Sequence, residues 1–349
     1  MMTVHFAIEG QVGFITLDRL KAFNAISMDM IEVIYQQLQA WKNDTRVHVV
    51  VIRSQTTDFF SAGGDVRSVY QMRAEPLDAK LGFFEKEYQM IYLLNTYPKP
   101  VMSLMNGITM GGGVGLGMHV AFPIAGEAMV FAMPETVIGL FPDVAGTAIL
   151  NKMPRAWQNY LGVFAQRLSF DHILEFGLVY GGIQTSDWGG LLKTLIDTNW
   201  TQDAFGQMSH LLQPYLIPRS MHQAQTPKDF WRFDCDSFYV LMENIESAKD
   251  DGLHDIATAI GRLCPLSMIV TFEQMKLAQG FNVKQALEQD FVLLQHFLEL
   301  PEIYEGVRAM LIDKDKHPRW TYPDWRNVPY SVVQKIFYDP SIIRLCLTA

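Results

Sequence analysis

Residues 106–117 read Asn106-Gly107-Ile108-Thr109-Met110-Gly111-Gly112-Gly113-Val114-Gly115-Leu116-Gly117, and six of the twelve are glycine. The stretch follows a short apolar run, Val101–Met105, that reads as a buried strand. Glycine loses more conformational freedom on folding than any other residue, so a row of them at a strand-to-helix junction marks a close backbone approach. A phosphate-cradling loop needs a Gly-Lys-Ser/Thr ending, and no lysine follows here. A dinucleotide fingerprint needs glycine at positions one, three and six. From Gly111 the sixth position is Leu116 and from Gly113 it is Met118, so both registers fail. Two readings remain: tight helix–strand packing, or backbone N–H groups at a helix start that face a developing negative charge.

Working outward, the surroundings of this stretch are unusually poor in charge. Charged residues make up 19% of the 349-residue chain, yet Pro100 to Asn151 carries only Glu127, Glu135 and Asp143. Glu135 follows Pro134 and Asp143 follows Pro142. A buried acid without a partner is costly and its proton affinity rises, which suits acid–base or nucleophilic work. Glu127, beside Gly126, reads as a surface turn. Gly63-Gly64, after the apolar Phe59-Phe60 pair, offers a second source of backbone N–H groups or an ordinary strand-ending turn.

The remaining composition excludes several classes. A hydrophobic content of 49% is too high for a disordered chain, and the net charge of −9 argues against a nucleic-acid partner. The uncharged run Pro100–Gly126 has the length of a membrane span, but its glycines, Asn106 and His119 point to a buried segment instead. The N-terminus shows no basic start, apolar region and cleavage site, and the three cysteines are odd in number and far apart. These features favour a cytoplasmic, reducing setting without disulfides. The nine histidines form no metal-binding spacing, and His119, beside the glycine cluster, reads as a core or subunit-contact residue. A serine-hydrolase nucleophile elbow is absent.

The element pattern is strand, strand, helix, repeated. Val4–Ile8 and Val12–Leu17 flank a turn, and Ser27 caps a helix to about Lys42. Val47–Ser54 is a strand, Leu81–Asn95 a helix stopped by Pro98 and Pro100, and one further strand reaches Phe131. After Pro154 helices dominate, over Ala156–Gln166, Phe170–Leu178, Trp188–Thr198, Pro265–Ala278, Val283–Leu298 and Pro301–Ile312. The proline-bearing stretch Gln213–Trp231 is the linker candidate. This gives an α/β core over residues 1–212 and a mainly helical region over 213–349 that packs on it.

These residues resemble the crotonase (enoyl-CoA hydratase/isomerase) superfamily, and within it the 3-hydroxyisobutyryl-CoA hydrolase branch. The resemblance rests on Phe60–Arg67 with Ser61-Ala62-Gly63-Gly64-Asp65, on Asn106–Gly115, on Phe131–Val144 with Pro134-Glu135 and Pro142-Asp143, and on Glu305–Ala309 through Ile312–Lys316. It implies a spiral of ββα units that binds an acyl-CoA thioester, followed by a C-terminal helical region. By motif position the oxyanion hole is the amides of Gly64 and Gly112. The CoA arm would lie along Lys21–Asn24 and Ala62–Arg67, with Ala62, Asp65, Arg67, Lys21 and Glu87 contacting substrate and Arg19 among the cations for its phosphates. No metal and no cofactor beyond the CoA of the substrate are implied. A homo-oligomer is, because the superfamily often forms trimers or hexamers.

The acid set separates the branches of that superfamily. Its hydratases use two glutamates, and the position of the first is Gly115 here, which carries no proton. Glu135 keeps the second. Asp143 stands where the hydratases usually have glycine and the hydrolases aspartate. The resemblance therefore implies thioester hydrolysis, of 3-hydroxyisobutyryl-CoA in valine catabolism, with Glu135 as nucleophile or general base and Asp143 as its partner. A hydratase or isomerase, and a non-catalytic acyl-CoA-binding protein, are the alternatives. Two departures stand out: Leu20 replaces a proline usual before Lys21, and Ala145 replaces a glycine common after Asp143.

Overall fold

The structure, a computed structural model, describes residues 3–218, 224–248, 251–339 and 341–347. In chain order its strands are β1 (Val4–Glu9), β2 (Val12–Leu17), β3 (Val49–Ser54), β4 (Phe59–Ser61), β5 (Val101–Met105), β6 (Ile108–Met110), β7 (Phe122–Ala125), β8 (Val130–Ala132), β9 (Arg167–Leu168) and β10 (Gly181–Gly182). They form a six-stranded sheet in the order β1-β2-β3-β5-β7-β10 and a four-stranded sheet in the order β4-β6-β8-β9. From β3 to β8 the chain alternates between the sheets, and the pairings β3–β5, β5–β7, β4–β6 and β6–β8 are parallel. A helix follows each of the strand pairs β1–β2, β3–β4, β5–β6 and β7–β8. This is the ββα spiral that the resemblance implies.

The alternation of side chains across a strand divides the core. Ile15, Leu17, Val50 and Ile52 face the Met28–Lys42 and Leu77–Asn95 helices, while Val12, Phe14, Val49 and Val51 face the helices Trp188–Asp197 and Ala204–Leu212. Buried on both faces, β2 and β3 read as near-continuous apolar runs. Ser27 caps the Met28–Lys42 helix by accepting from the Met30 N–H.

The C-terminal helices close the first of these cores. Phe291 packs on Tyr88 with ring centroids 6.3 Å apart, and Phe297 on Phe141 at 5.1 Å. Residues on both sides of position 213 share this one hydrophobic cluster. Part of the Gln213–Trp231 linker candidate lies outside the described residues. Its far end is packed, with the Phe230 ring tilted against Trp157 at a centroid distance of 4.2 Å.

Three expectations differ in detail. The single strand to Phe131 is two strands, β7 and β8, one in each sheet. The helix expected over Ala156–Gln166 passes into a wider π-turn at Asn159–Val163, where Gly162 meets Met275 and Thr271. The one over Pro301–Ile312 does the same after Val307, where Arg308 bonds to Glu305, Asp313 and Asp315 and folds the chain back. The uncharged run Pro100–Gly126 is spent on β5, β6, a seven-residue helix and β7. Among the described residues no single helix is long and apolar enough to cross a membrane.

One backbone contact ties the C-terminal region to the spiral. A β-carbon on Gly306 would fall on the Ile138 carbonyl, at the end of the short helix Glu135–Ile138. Gly306→Ala is therefore expected to destabilise the fold by about 1–3 kcal/mol, read as an earlier urea midpoint. An unchanged midpoint would show that this contact yields without cost.

Candidate active site

The glycine-rich turn after β4 and the glycine cluster after β6 meet at the C-terminal ends of neighbouring strands of the small sheet. Gly63, at φ +113°, and Gly111, at φ +47°, adopt backbone conformations that glycine tolerates best. The turn after β4 is bridged to Ile26, whose N–H donates to the Gly63 carbonyl and whose carbonyl accepts from Asp65 N–H, leaving the Gly64 amide outside the bridge. Gly112 is the first residue of its helix, so its N–H has no acceptor within that helix. A β-carbon on Gly112 would stand 2.9 Å from the Gly64 nitrogen and 2.7 Å from Glu87 Oε1. One on Gly111 would stand 2.9 Å from Glu135 Oε1. The Gly64 and Gly112 amides thus sit side by side, with the Glu135 carboxyl against Gly111 and the Glu87 carboxyl against Gly112.

Buried polar residues hold the turn. Asn24 is fully buried at φ +53°; its Oδ1 accepts from Arg19 N–H and its Nδ2 donates to Ser54 Oγ and the Phe60 carbonyl. Ala62 N–H donates to the Phe23 carbonyl. Arg19 Nη2 donates to Asp65 Oδ2 at 2.7 Å and Nη1 to the Ala25 carbonyl. Arg19, expected among the cations for CoA phosphates, is therefore committed to the turn, and Asp65 lines the cavity as its counter-ion. Lys21 and Arg67 are exposed at the rim, joined by Arg167 and Lys314.

Three carboxyls converge on the two amides. Glu87 comes from the Leu77–Asn95 helix, Glu135 from the turn after β8 and Asp143 from the loop beyond it. They are 2%, 5% and 6% exposed, which places all three in the interior of a cavity of ≈ 1050 Å³. Asp143 Oδ2 accepts from the Tyr88 hydroxyl at 3.2 Å, whereas Glu87 Oε1 and Glu135 Oε2 have no protein partner. Burial pushes the Asp143 carboxyl up to about 7, with the Tyr88 hydroxyl opposing the shift. Burial, and then the nearby Asp143 charge, raise Glu87 and Glu135 well above the ordinary carboxylate range. Fully ionised, the trio would crowd like charges in a buried site, so it retains protons near neutrality.

Position 115 is closed. A β-carbon on Gly115 would meet Ile91 Cδ1 at 2.7 Å and Val144 Cβ at 2.9 Å, which leaves no room for a longer side chain. His119 is buried and its Nε2 lies 2.9 Å from the Val144 carbonyl. Burial pushes its imidazole down to about 4, so it serves the core as a neutral N–H donor. Glu127 is exposed and accepts from the Thr185 amide and hydroxyl. Among the described residues no group of three or more His, Cys, Asp or Glu is arranged to hold a metal ion.

Two participants escape sequence reasoning. Tyr88 adjoins Glu87, but nothing in the pattern marks its hydroxyl. Asp290 lies on the apolar stripe Ala286, Leu287, Phe291, Leu294 of the Val283–Phe297 helix, and an acid on such a stripe was the available signal. Its Oδ2 accepts from Ala145 N–H at 2.8 Å.

A spiral of ββα units carrying paired glycine amides and buried acids defines a class, and comparison with known proteins agrees. A family model described as enoyl-CoA hydratase/isomerase matches residues 12–337, and the chain belongs to that family. The 3-hydroxyisobutyryl-CoA hydrolase, mitochondrial, of Danio rerio is 33% identical over 345 residues, covering 96% of this chain and 89% of that protein. The protein of the same name from Homo sapiens is 31% identical over 329 residues, covering 92% and 84%. Among solved structures, an enoyl-CoA hydratase from Rhodobacter sphaeroides 2.4.1 superposes with a TM-score of 0.86 at 27% identity, covering 99% of this chain and 100% of that one.

The acid cluster carries a stability cost with a defined pH window. A carboxyl whose folded pKa is raised favours the fold while protonated and loses that contribution as pH rises through the folded value. For Asp143 the loss falls between about pH 4 and 7. Asp143→Asn keeps an acceptor for Tyr88 and cannot ionise. At pH 8 it is expected to be more stable than the parent by up to about 4 kcal/mol, with the difference shrinking toward pH 4. Thermal melts at both pH values check this; a variant less stable at pH 8 would contradict it.

Proposed function

We propose that this chain hydrolyses the thioester of a short-chain 3-hydroxyacyl-CoA, with 3-hydroxyisobutyryl-CoA as substrate and 3-hydroxyisobutyrate and CoA as products. The observation that carries the reading is the composition of the site. Three buried acids surround two free amides, while Gly115, the position from which a hydratase would present its first glutamate, has no space beside it. The relatives named 3-hydroxyisobutyryl-CoA hydrolase support it.

In this reading the thioester oxygen lies between the Gly64 and Gly112 amides. Each donor contributes roughly 3 kcal/mol to the oxyanion, the size of effect seen on deleting one such donor. Glu135 in its ionised form either attacks the carbonyl carbon, giving an anhydride that water then hydrolyses to free the acid, or takes a proton from a water that attacks directly. The tetrahedral adduct collapses with loss of the CoA thiolate, which takes up a proton. A carboxyl that burial keeps protonated, Asp143 or Glu87, is placed to give it. Asp143, bonded to Tyr88, also orients the substrate hydroxyl or the water. Lys21 and Arg67 at the rim meet the CoA phosphates through their local positive charge, although the whole molecule is acidic.

Thiol release from a series of short 3-hydroxyacyl-CoAs, with Glu135→Ala as control, tests the assignment. The parent should release thiol and leave crotonyl-CoA unhydrated. Glu135→Ala should lose about 10²–10⁴ in kcat. Crotonyl-CoA hydration without thiol release would favour a hydratase, and full activity in Glu135→Ala would remove Glu135 from the chemistry. A single turnover in oxygen-18 water separates its two roles, since label in Glu135 marks an anhydride and label confined to the released acid is expected for direct water attack.

A further inference from the structure

The loop that carries Asp143 is strained and is held from outside the spiral. Val144 and Ala145 both take left-handed backbone angles, φ +51° and +57°. Neither is glycine, and each such residue costs about 1–2 kcal/mol. For a β-branched valine the conformation is an outlier that persists only where the surroundings impose it.

The surroundings that impose it are a buried carboxylate and a buried amide on two C-terminal helices. Asp290 is fully buried; its Oδ2 accepts from Ala145 N–H at 2.8 Å and its Oδ1 from Gln274 Nε2 at 2.8 Å. The same Gln274 nitrogen donates to the Pro142 carbonyl at 3.0 Å. The residue before Asp143 and the second residue after it are thus tied to one side-chain pair. His119, from beneath the glycine cluster, holds the Val144 carbonyl. Asp290 is not among the residues that line the cavity, although its charge is felt by Asp143, Glu135 and Tyr88. A carboxylate sealed in the core solely for packing would be a poor choice against an apolar residue. Its two acceptor oxygens, both used, fit a latch.

We propose that Asp290, through Gln274, is a positioning residue that holds the strained loop Pro142–Ala145 and thereby fixes the Asp143 carboxyl against Tyr88 inside the acyl cavity. The inference rests on the thioesterase reading of that cavity. It gives the C-terminal helices a catalytic consequence: without them the spiral would carry Asp143 on a loop free to relax.

Asp290→Asn tests it, because it replaces one acceptor oxygen by an NH2 donor that then faces either Ala145 N–H or Gln274 Nε2. In the full-length protein kcat for thiol release should fall about 10- to 100-fold, the cost of a small misplacement, while KM stays within about threefold since the CoA contacts lie elsewhere. Ala145→Gly removes the left-handed penalty, so Asp290→Asn should cost kcat several-fold less in that background. Should Asp290→Asn fail to fold, Gln274→Met carries the test with a smaller, several-fold fall in kcat. Unchanged kcat in a folded Asp290→Asn or Gln274→Met variant overturns the latch, as does an equal loss with and without Ala145→Gly. Failure of the parent to release thiol from any 3-hydroxyacyl-CoA would instead overturn the thioesterase reading.

Discussion

The constraint on which the site depends is the burial of Glu87, Glu135 and Asp143 around two backbone amides with no cation among them. None of the three is in an ion pair among the described residues, and Tyr88 supplies the one side-chain hydrogen bond shown for the trio. Removing carboxyls from water without a partner is costly, so the arrangement persists only because the rest of the fold is large and well packed. The spiral supplies that packing. β2, β3 and β5 are buried nearly end to end, and two hydrophobic clusters flank the large sheet.

Glycine is what lets the acids approach the amides. At Gly111 and Gly112 a β-carbon would occupy the space now taken by the Glu135 and Glu87 carboxyl oxygens. The same economy acts in the opposite sense at Gly115, where Ile91 and Val144 fill the space a longer side chain would need. Close packing at one glycine and an open amide at its neighbour thus decide which acids the site contains.

Much of this was legible in the sequence for identifiable reasons. The ββα order could be read because apolar runs such as Val49–Ile52 alternate with a capped helix such as Met28–Lys42. The acids stood out because Glu135 and Asp143 lie in a stretch almost free of charge. The commitment of Arg19 to Asp65 was not legible, since a basic residue near a phosphate-binding segment looks the same whether free or paired. Nor was the latch. Asp290 lies 145 residues from Ala145, and the left-handed angles at Val144 and Ala145 come from tertiary contacts that override local preference. The π-turn after Val307 likewise follows from the ion pairs of Arg308, which helical periodicity does not register.

The claim that uncompensated burial keeps the acid cluster partly protonated near neutrality is tested most directly by titrating the carboxyls themselves in the substrate-free protein. Carbon-13 labelling of Asp and Glu side chains, with Glu87→Gln, Glu135→Gln and Asp143→Asn for assignment, would follow each carboxyl by NMR from pH 4 to 9. The account expects Glu87 and Glu135 to titrate above the ordinary carboxylate range, with Asp143 titrating near pH 7. Full ionisation of all three by pH 5 would contradict it.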